Sequence, residues 1–132
     1  MDAKTLNEKW QGTLGALLGM RFVEVGPDRV VAELALRGEL CTLGGTVHGG
    51  TLMALADTAG AAGTIASLQP DQRTATLESK TNFIAAARSG TLRAEATPIH
   101  KGRRTQVWET RVTDESGRLL SVTTQTQMVL EG

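Results

Sequence analysis

Gly44-Gly45-Thr46-Val47-His48-Gly49-Gly50-Thr51-Leu52-Met53-Ala54-Leu55-Ala56-Asp57-Thr58-Ala59 sets a glycine-rich loop directly before a run that is apolar on nearly every side. Alanine and leucine dominate from Gly49 to Ser67, and that composition predicts a helix over 49–67. The surrounding stretch, Thr42 to Gln69, carries little charge and is long enough to raise the question of a membrane span. Its repeated glycines, His48 and the central Asp57 argue instead for a buried helix of a soluble domain. A helix that is apolar around most of its circumference needs a sheet curled about it.

The flanking segments supply such a sheet. Arg21–Val25 and Arg29–Leu36 are rich in valine and leucine around Gly26-Pro27-Asp28, the pattern of a hairpin. Beyond Gln69-Pro70-Asp71 four further strands are predicted: Thr74–Ala85, Thr91–Ile99, Thr105–Thr113 and Leu119–Val129. Arg88-Ser89-Gly90, Lys101-Gly102-Arg103 and Asp114-Glu115-Ser116-Gly117 separate them, so the expectation is an antiparallel meander. Leu6, Trp10, Leu14 and Leu18 recur every four residues and predict a short N-terminal helix, a lid or clasp, that Gly12 and Gly15 interrupt. The class is therefore α+β: a curved antiparallel sheet wrapped around one long central helix, in a single domain spanning 1–132.

The chain of 132 residues carries 14 Lys+Arg against 14 Asp+Glu. Zero net charge gives no reason to expect nucleic acid or an anionic membrane as partner. Cys41 is the only cysteine, and Met1-Asp2-Ala3-Lys4 lacks the basic and apolar regions of a signal peptide. Both features fit a reducing, cytoplasmic setting.

Asp57 carries the chemistry. A carboxylate in the middle of an apolar helix is costly to desolvate unless donors, a cleft or water meet it. Either it is held structurally by a neighbouring strand, or it serves as a base or nucleophile at a carbonyl. Gly49 and Gly50 stand at the helix N-terminus, where free N–H groups and the positive end of the dipole attract an oxyanion. His48, beside them, either orients the loop, contacts substrate or makes a purely structural hydrogen bond.

His48-Gly49-Gly50 followed by Asp57, eight residues after the first glycine, resembles the signature of hotdog-fold acyl-CoA thioesterases. The similarity is to the phenylacetate-pathway and 4-hydroxybenzoyl-CoA thioesterase group. It extends over about residues 12–130 and includes Gly102-Arg103-Arg104-Thr105 and Asp114-Glu115-Ser116-Gly117-Arg118-Leu119. The resemblance implies hydrolysis of an aryl- or medium-chain acyl-CoA to free acid and CoA, with no metal and no cofactor, CoA being part of the substrate. It also implies that the Gly49 N–H polarises the thioester oxygen. Thr76 matches a Ser or Thr that helps hold the attacking water in relatives. Thr42 departs from the Asn or Gln usual six residues before the histidine, and a hydroxyl cannot supply an amide's donor and acceptor together. Phe83-Ile84-Ala85-Ala86 departs from a frequent Arg-Pro pair. Lys101, Arg103 and Arg104 form a tight basic cluster in a turn, suited either to CoA phosphates or to plain solvation.

At 1.5 Å per residue, Gly49 and Asp57 lie about 12 Å apart along one helix, too far to share one carbonyl. Two antiparallel copies of the helix would bring Gly49 of one chain to Asp57 of the other, so a homodimer is expected; the resemblance implies that such dimers pair further into a homotetramer. Two other functions are open. A hotdog enoyl-CoA hydratase or dehydratase would need a catalytic histidine in a different motif, and only His100 remains. A non-catalytic acyl-CoA sensor would need a DNA-reading module, for which about twenty residues ahead of the first strand are too few. The small residues Ala54, Ala59, Ala61, Ala62 and Gly63 are expected to leave room for the acyl group.

Overall fold

The computed structural model describes residues 1–132. Helices α1 (Ala3–Lys9) and α2 (Leu14–Leu18) lead into strands β1 (Met20–Val25) and β2 (Val30–Ala35). A 3-10 turn at Gly38–Leu40 and a loop precede the long helix α3 (Gly49–Ile65). Strands β3 (Gln72–Phe83), β4 (Thr91–Lys101), β5 (Thr105–Thr113) and β6 (Leu119–Glu131) complete the chain. All six strands form one antiparallel sheet, and α3 touches every one of them. This is the expected sheet wrapped around a central helix, the hotdog fold. No helix is long and apolar enough to cross a membrane.

Two expectations need correcting. The strand order is β1-β2-β4-β5-β6-β3, so only β4, β5 and β6 form a meander. β3 lies at the far edge beside β6, and β4 lies beside β2. Arg88-Ser89-Gly90 belongs to a crossover, residues 84–90, which is longer than a hairpin loop. The crossover is tied down as it passes the N-terminal end of α3. Val47 N donates to Ala87 O, Ile84 N to Leu120 O, and Leu36 N to Gly90 O. Helix α3 runs across the sheet and delivers β3 to the opposite edge, so the chain has to cross back. The N-terminal helix divides in two at Gly12, as its glycine led one to expect, whereas Gly15 lies inside α2 and does not break it. Gly12 has φ +82°, in the left-handed region glycine tolerates, and the Thr13 hydroxyl caps α2 by accepting from Ala16 N. That break turns the face: Leu6 is buried, whereas Leu14 is 60 % exposed. Asn7 clasps α1 to β1 through both its donor and its acceptor on Phe22.

Helix α3 sits very close to the sheet. A Cβ built at Gly63 would overlap the indole of Trp108, and one at Gly60 would overlap the side-chain amide of Gln125. Ala59, Ala62 and Gly63 are buried against the sheet, with Trp108 in the space that Gly63 leaves. These small residues therefore serve packing and open no acyl cavity. Gln106 fastens the C-terminal half of the helix: its Oε1 accepts from Thr64 Oγ1 (3.0 Å) and Trp108 Nε1 (2.9 Å), and its Nε2 donates to Ser67 Oγ (3.0 Å).

Candidate active site

The N-terminus of α3 leaves one donor free. His48 is its N-cap: Nδ1 accepts from Gly50 N at 2.7 Å, and the His48 carbonyl accepts from Thr51 N and Leu52 N. Of the first four helical N–H groups, which have no partner within the helix, only that of Gly49 finds no acceptor. His48 thus uses one ring nitrogen as a cap and frees the Gly49 donor by engaging the next one along. The phenyl ring of Phe83 lies against Gly49, and a Cβ at that glycine would stand 3.0 Å from Cζ. An apolar cleft of about 460 Å³ opens beside it, walled by Leu52, Phe83, Ile84 and neighbouring alanines.

Asp57 lies two turns along, half-buried on the less covered face of α3. Thr76, on β3, donates its hydroxyl to Asp57 Oδ1 at 2.7 Å. Gln125, on β6, donates from Nε2 to the same oxygen at 2.9 Å and to the Asp57 carbonyl at 3.2 Å. Oδ2 accepts no hydrogen bond from the chain. Thr76 and Asp57 are thereby brought together, with the threonine hydroxyl bonded directly to the carboxylate.

Gln125 and its neighbour Gln127 were not anticipated. From Ser121 to Gln127 every odd position of β6 is buried and polar. An inward-facing register filled with Ser, Thr and Gln was the signal in the sequence that these residues meet a polar group on the helix.

The remaining candidates sit elsewhere. The Thr42 hydroxyl bonds to Thr46 Oγ1 at 3.2 Å within its own exposed turn. Lys101 is drawn toward the β1–β2 turn, donating to Pro27 O (2.9 Å) and Asp28 Oδ1 (3.3 Å). The basic cluster is thereby split. Arg103 and Arg104, which make no ion pair, flank a depression of about 340 Å³ shared with Val129 and Glu131. His100 is exposed at the end of β4, paired across the β4–β5 turn with Val107.

Known proteins match this chain in sequence and in fold. The family model described as the thioesterase superfamily matches residues 44–121, which include Gly49, Asp57 and Thr76. A 1,4-dihydroxy-2-naphthoyl-CoA hydrolase of Escherichia coli (strain K12) is 30 % identical over 127 residues, 96 % of this chain and 93 % of the relative. An enzyme of the same name from Listeria monocytogenes is 34 % identical over 105 residues, 80 % of this chain and 85 % of the relative. The crystal structure of a thioesterase from Haemophilus influenzae superposes with a TM-score of 0.95 at 28 % identity, covering 99 % of this chain and 92 % of that one. With its six-stranded sheet around α3, the chain belongs to the thioesterase superfamily and is a hotdog-fold thioester hydrolase.

Proposed function

We propose that this enzyme hydrolyses an aryl- or medium-chain acyl-CoA, with Asp57 of one protomer and the Gly49 N–H of another acting on the same thioester. The observation that carries this reading is the pair of unfilled valences on α3: Asp57 Oδ2 without a donor and Gly49 N–H without an acceptor. They are eight residues apart in one helix, about 12 Å along its axis. A thioester carbonyl needs a donor and an attacking group within about 3 Å of the same reacting centre, so one chain does not complete the site.

The sheet offers a way to join two copies. β3 spans twelve residues at an open edge, and its Leu77 is 64 % exposed. A long edge strand with free N–H and C=O groups is a template for pairing, and a two-fold axis beside it would set the two α3 helices antiparallel. Pairing of such dimers into a tetramer is part of the same reading.

In the complete site the Gly49 N–H, reinforced by the helix dipole, stabilises the oxyanion as the carbonyl becomes tetrahedral. Asp57 Oδ2 either takes a proton from the attacking water and passes it to the departing sulfur, or attacks the carbonyl itself to form an acyl anhydride that water then hydrolyses. In both routes the C–S bond breaks, water supplies the proton that makes CoA a thiol, and the acyl group leaves as the free acid. The cleft walled by Leu52, Phe83 and Ile84 adjoins Gly49 and presents no charged side chain, which suits an uncharged apolar acyl group. Arg103 and Arg104 are the cations available for CoA phosphates. The relatives that hydrolyse naphthoyl-CoA esters support an aryl substrate, and the single thiol of Cys41 suits a reducing cytoplasm.

The reading is tested by Asp57→Asn, which keeps the shape of the side chain. It should lower kcat by about 10² or more with KM changed by only a few-fold, measured as CoA release from a panel of aryl and medium-chain acyl-CoAs. Near-normal turnover by the folded variant would remove Asp57 from the mechanism.

A further inference from the structure

Behind Asp57 lies a buried ladder of side-chain amides and hydroxyls. Gln125 is fully buried, and Gln127 is 1 % exposed. Gln125 Nε2 serves Asp57 Oδ1 and the Asp57 carbonyl on one side and Gln127 Oε1 (2.9 Å) on the other. Gln127 Nε2 donates to Thr74 Oγ1 at 3.0 Å, and Thr74 donates to Met128 O at 2.7 Å. Each rung fixes the next. Two Asp57 oxygens face the Gln125 nitrogen, so that amide cannot turn round without setting oxygen against oxygen. Its second N–H then requires the oxygen of Gln127 to face it, which sends the Gln127 nitrogen to Thr74.

Two details indicate that this arrangement serves Asp57 and not packing alone. Gln125 Oε1 is buried with no partner, a costly state that an apolar residue of the same size would avoid. Its amide occupies the place of the side chain that Gly60 lacks, so the helix is cut away where the amide reaches the carboxylate. In addition, Thr76 has one hydroxyl hydrogen and two acceptors at 2.7 Å, Asp57 Oδ1 and Gln127 Oε1, and it can satisfy only one at a time.

We infer that Gln125 and Gln127 are positioning residues for the reaction, a role that rests on Asp57 being the reacting group. Gln125 pins Oδ1 so that Oδ2 alone faces the substrate. Gln127 receives the Thr76 hydrogen when Asp57 loses charge, by taking a proton from water or by bonding to the acyl carbon. Oδ1 keeps the Thr76 hydrogen while it is charged, and the hydroxyl turns to Gln127 when it is not, with no heavy atom moving. Neither glutamine touches the substrate.

The test is a double-mutant cycle in the full-length enzyme, read as CoA release from an acyl-CoA it turns over, with thermal melts alongside. Gln125→Met keeps the length of the side chain and removes its donors. It should lower kcat about tenfold or more with KM within about threefold. The melt shows whether the folded state survives, since loss of the unpaired oxygen offsets part of the cost of leaving Asp57 Oδ1 and Gln127 Oε1 without this donor. In an Asp57→Asn background the same change should cost less than twofold, since the group it positions is already disabled. Gln127→Met should lower kcat three- to tenfold with the same loss of effect in that background, and it serves as the cycle should Gln125→Met fail to fold. Turnover within twofold of wild type, or losses that multiply with Asp57→Asn, would overturn the positioning role. If Asp57→Asn alone is active, the assignment of Asp57 has failed, and that is distinguished from a failure of the glutamines.

Discussion

A carboxylate in a helix of alanine and leucine is destabilising unless donors meet it, and at Asp57 both side-chain donors, Thr76 and Gln125, meet the same oxygen. The asymmetry leaves Oδ2 without a donor from the chain, the atom to which the proposed mechanism assigns the reaction. The same reasoning separates the three cations of the β4–β5 turn. Lys101 already spends its ammonium on Pro27 O and Asp28, whereas Arg103 and Arg104 have no anionic partner. Exposed guanidinium groups without partners are suited to binding phosphates. Arg103→Glu with Arg104→Glu should therefore raise KM for an acyl-CoA at least tenfold while changing KM for a short thioester without a nucleotide by less than threefold. Equal effects on the two substrates would show that the arginines act on something other than CoA.

At the scale of the element, α3 depends on two glycines for its depth in the sheet, and their effects should differ. Gly63→Ala pushes a methyl group into the fully buried Trp108 ring and should cost about 1–3 kcal/mol in a denaturant melt, with kcat of the folded enzyme unchanged. Gly60→Ala displaces the Gln125 amide and should lower kcat as well as stability. If Gly63→Ala is neutral, the helix does not seat as closely as described. Much of this element was legible in advance: the composition of 49–67 gave the helix, the glycines before it gave its start, and Asp57 was conspicuous as the one charge. The partners of Asp57 were harder to read because Gln125 is 68 residues away in sequence and belongs to a strand whose inward face is polar. The place of β3 was misread for a related reason. Arg88-Ser89-Gly90 has turn composition, and turn composition does not tell a hairpin from a crossover.

For the whole molecule, the open edge at β3 and the free groups at the two sites on α3 support the proposal that the active unit is a pair of chains. The sharpest measurement mixes two inactive proteins. One parent is Asp57→Ala. The other is Gly49→Pro, which deletes the proposed oxyanion donor at a first-turn position where proline is tolerated; the preceding His48, at φ −70° and ψ 138°, already has the backbone that proline requires. Each parent, shown to be a folded dimer, should be nearly inactive. In a hybrid dimer one site collects both defects and the other receives an intact Gly49 and an intact Asp57 from different chains. Random reassortment makes half of the dimers hybrid, so CoA release after co-refolding should recover to about a quarter of the wild-type rate. Activity that stays at the parental background, with hybrid dimers demonstrated, would contradict the shared site.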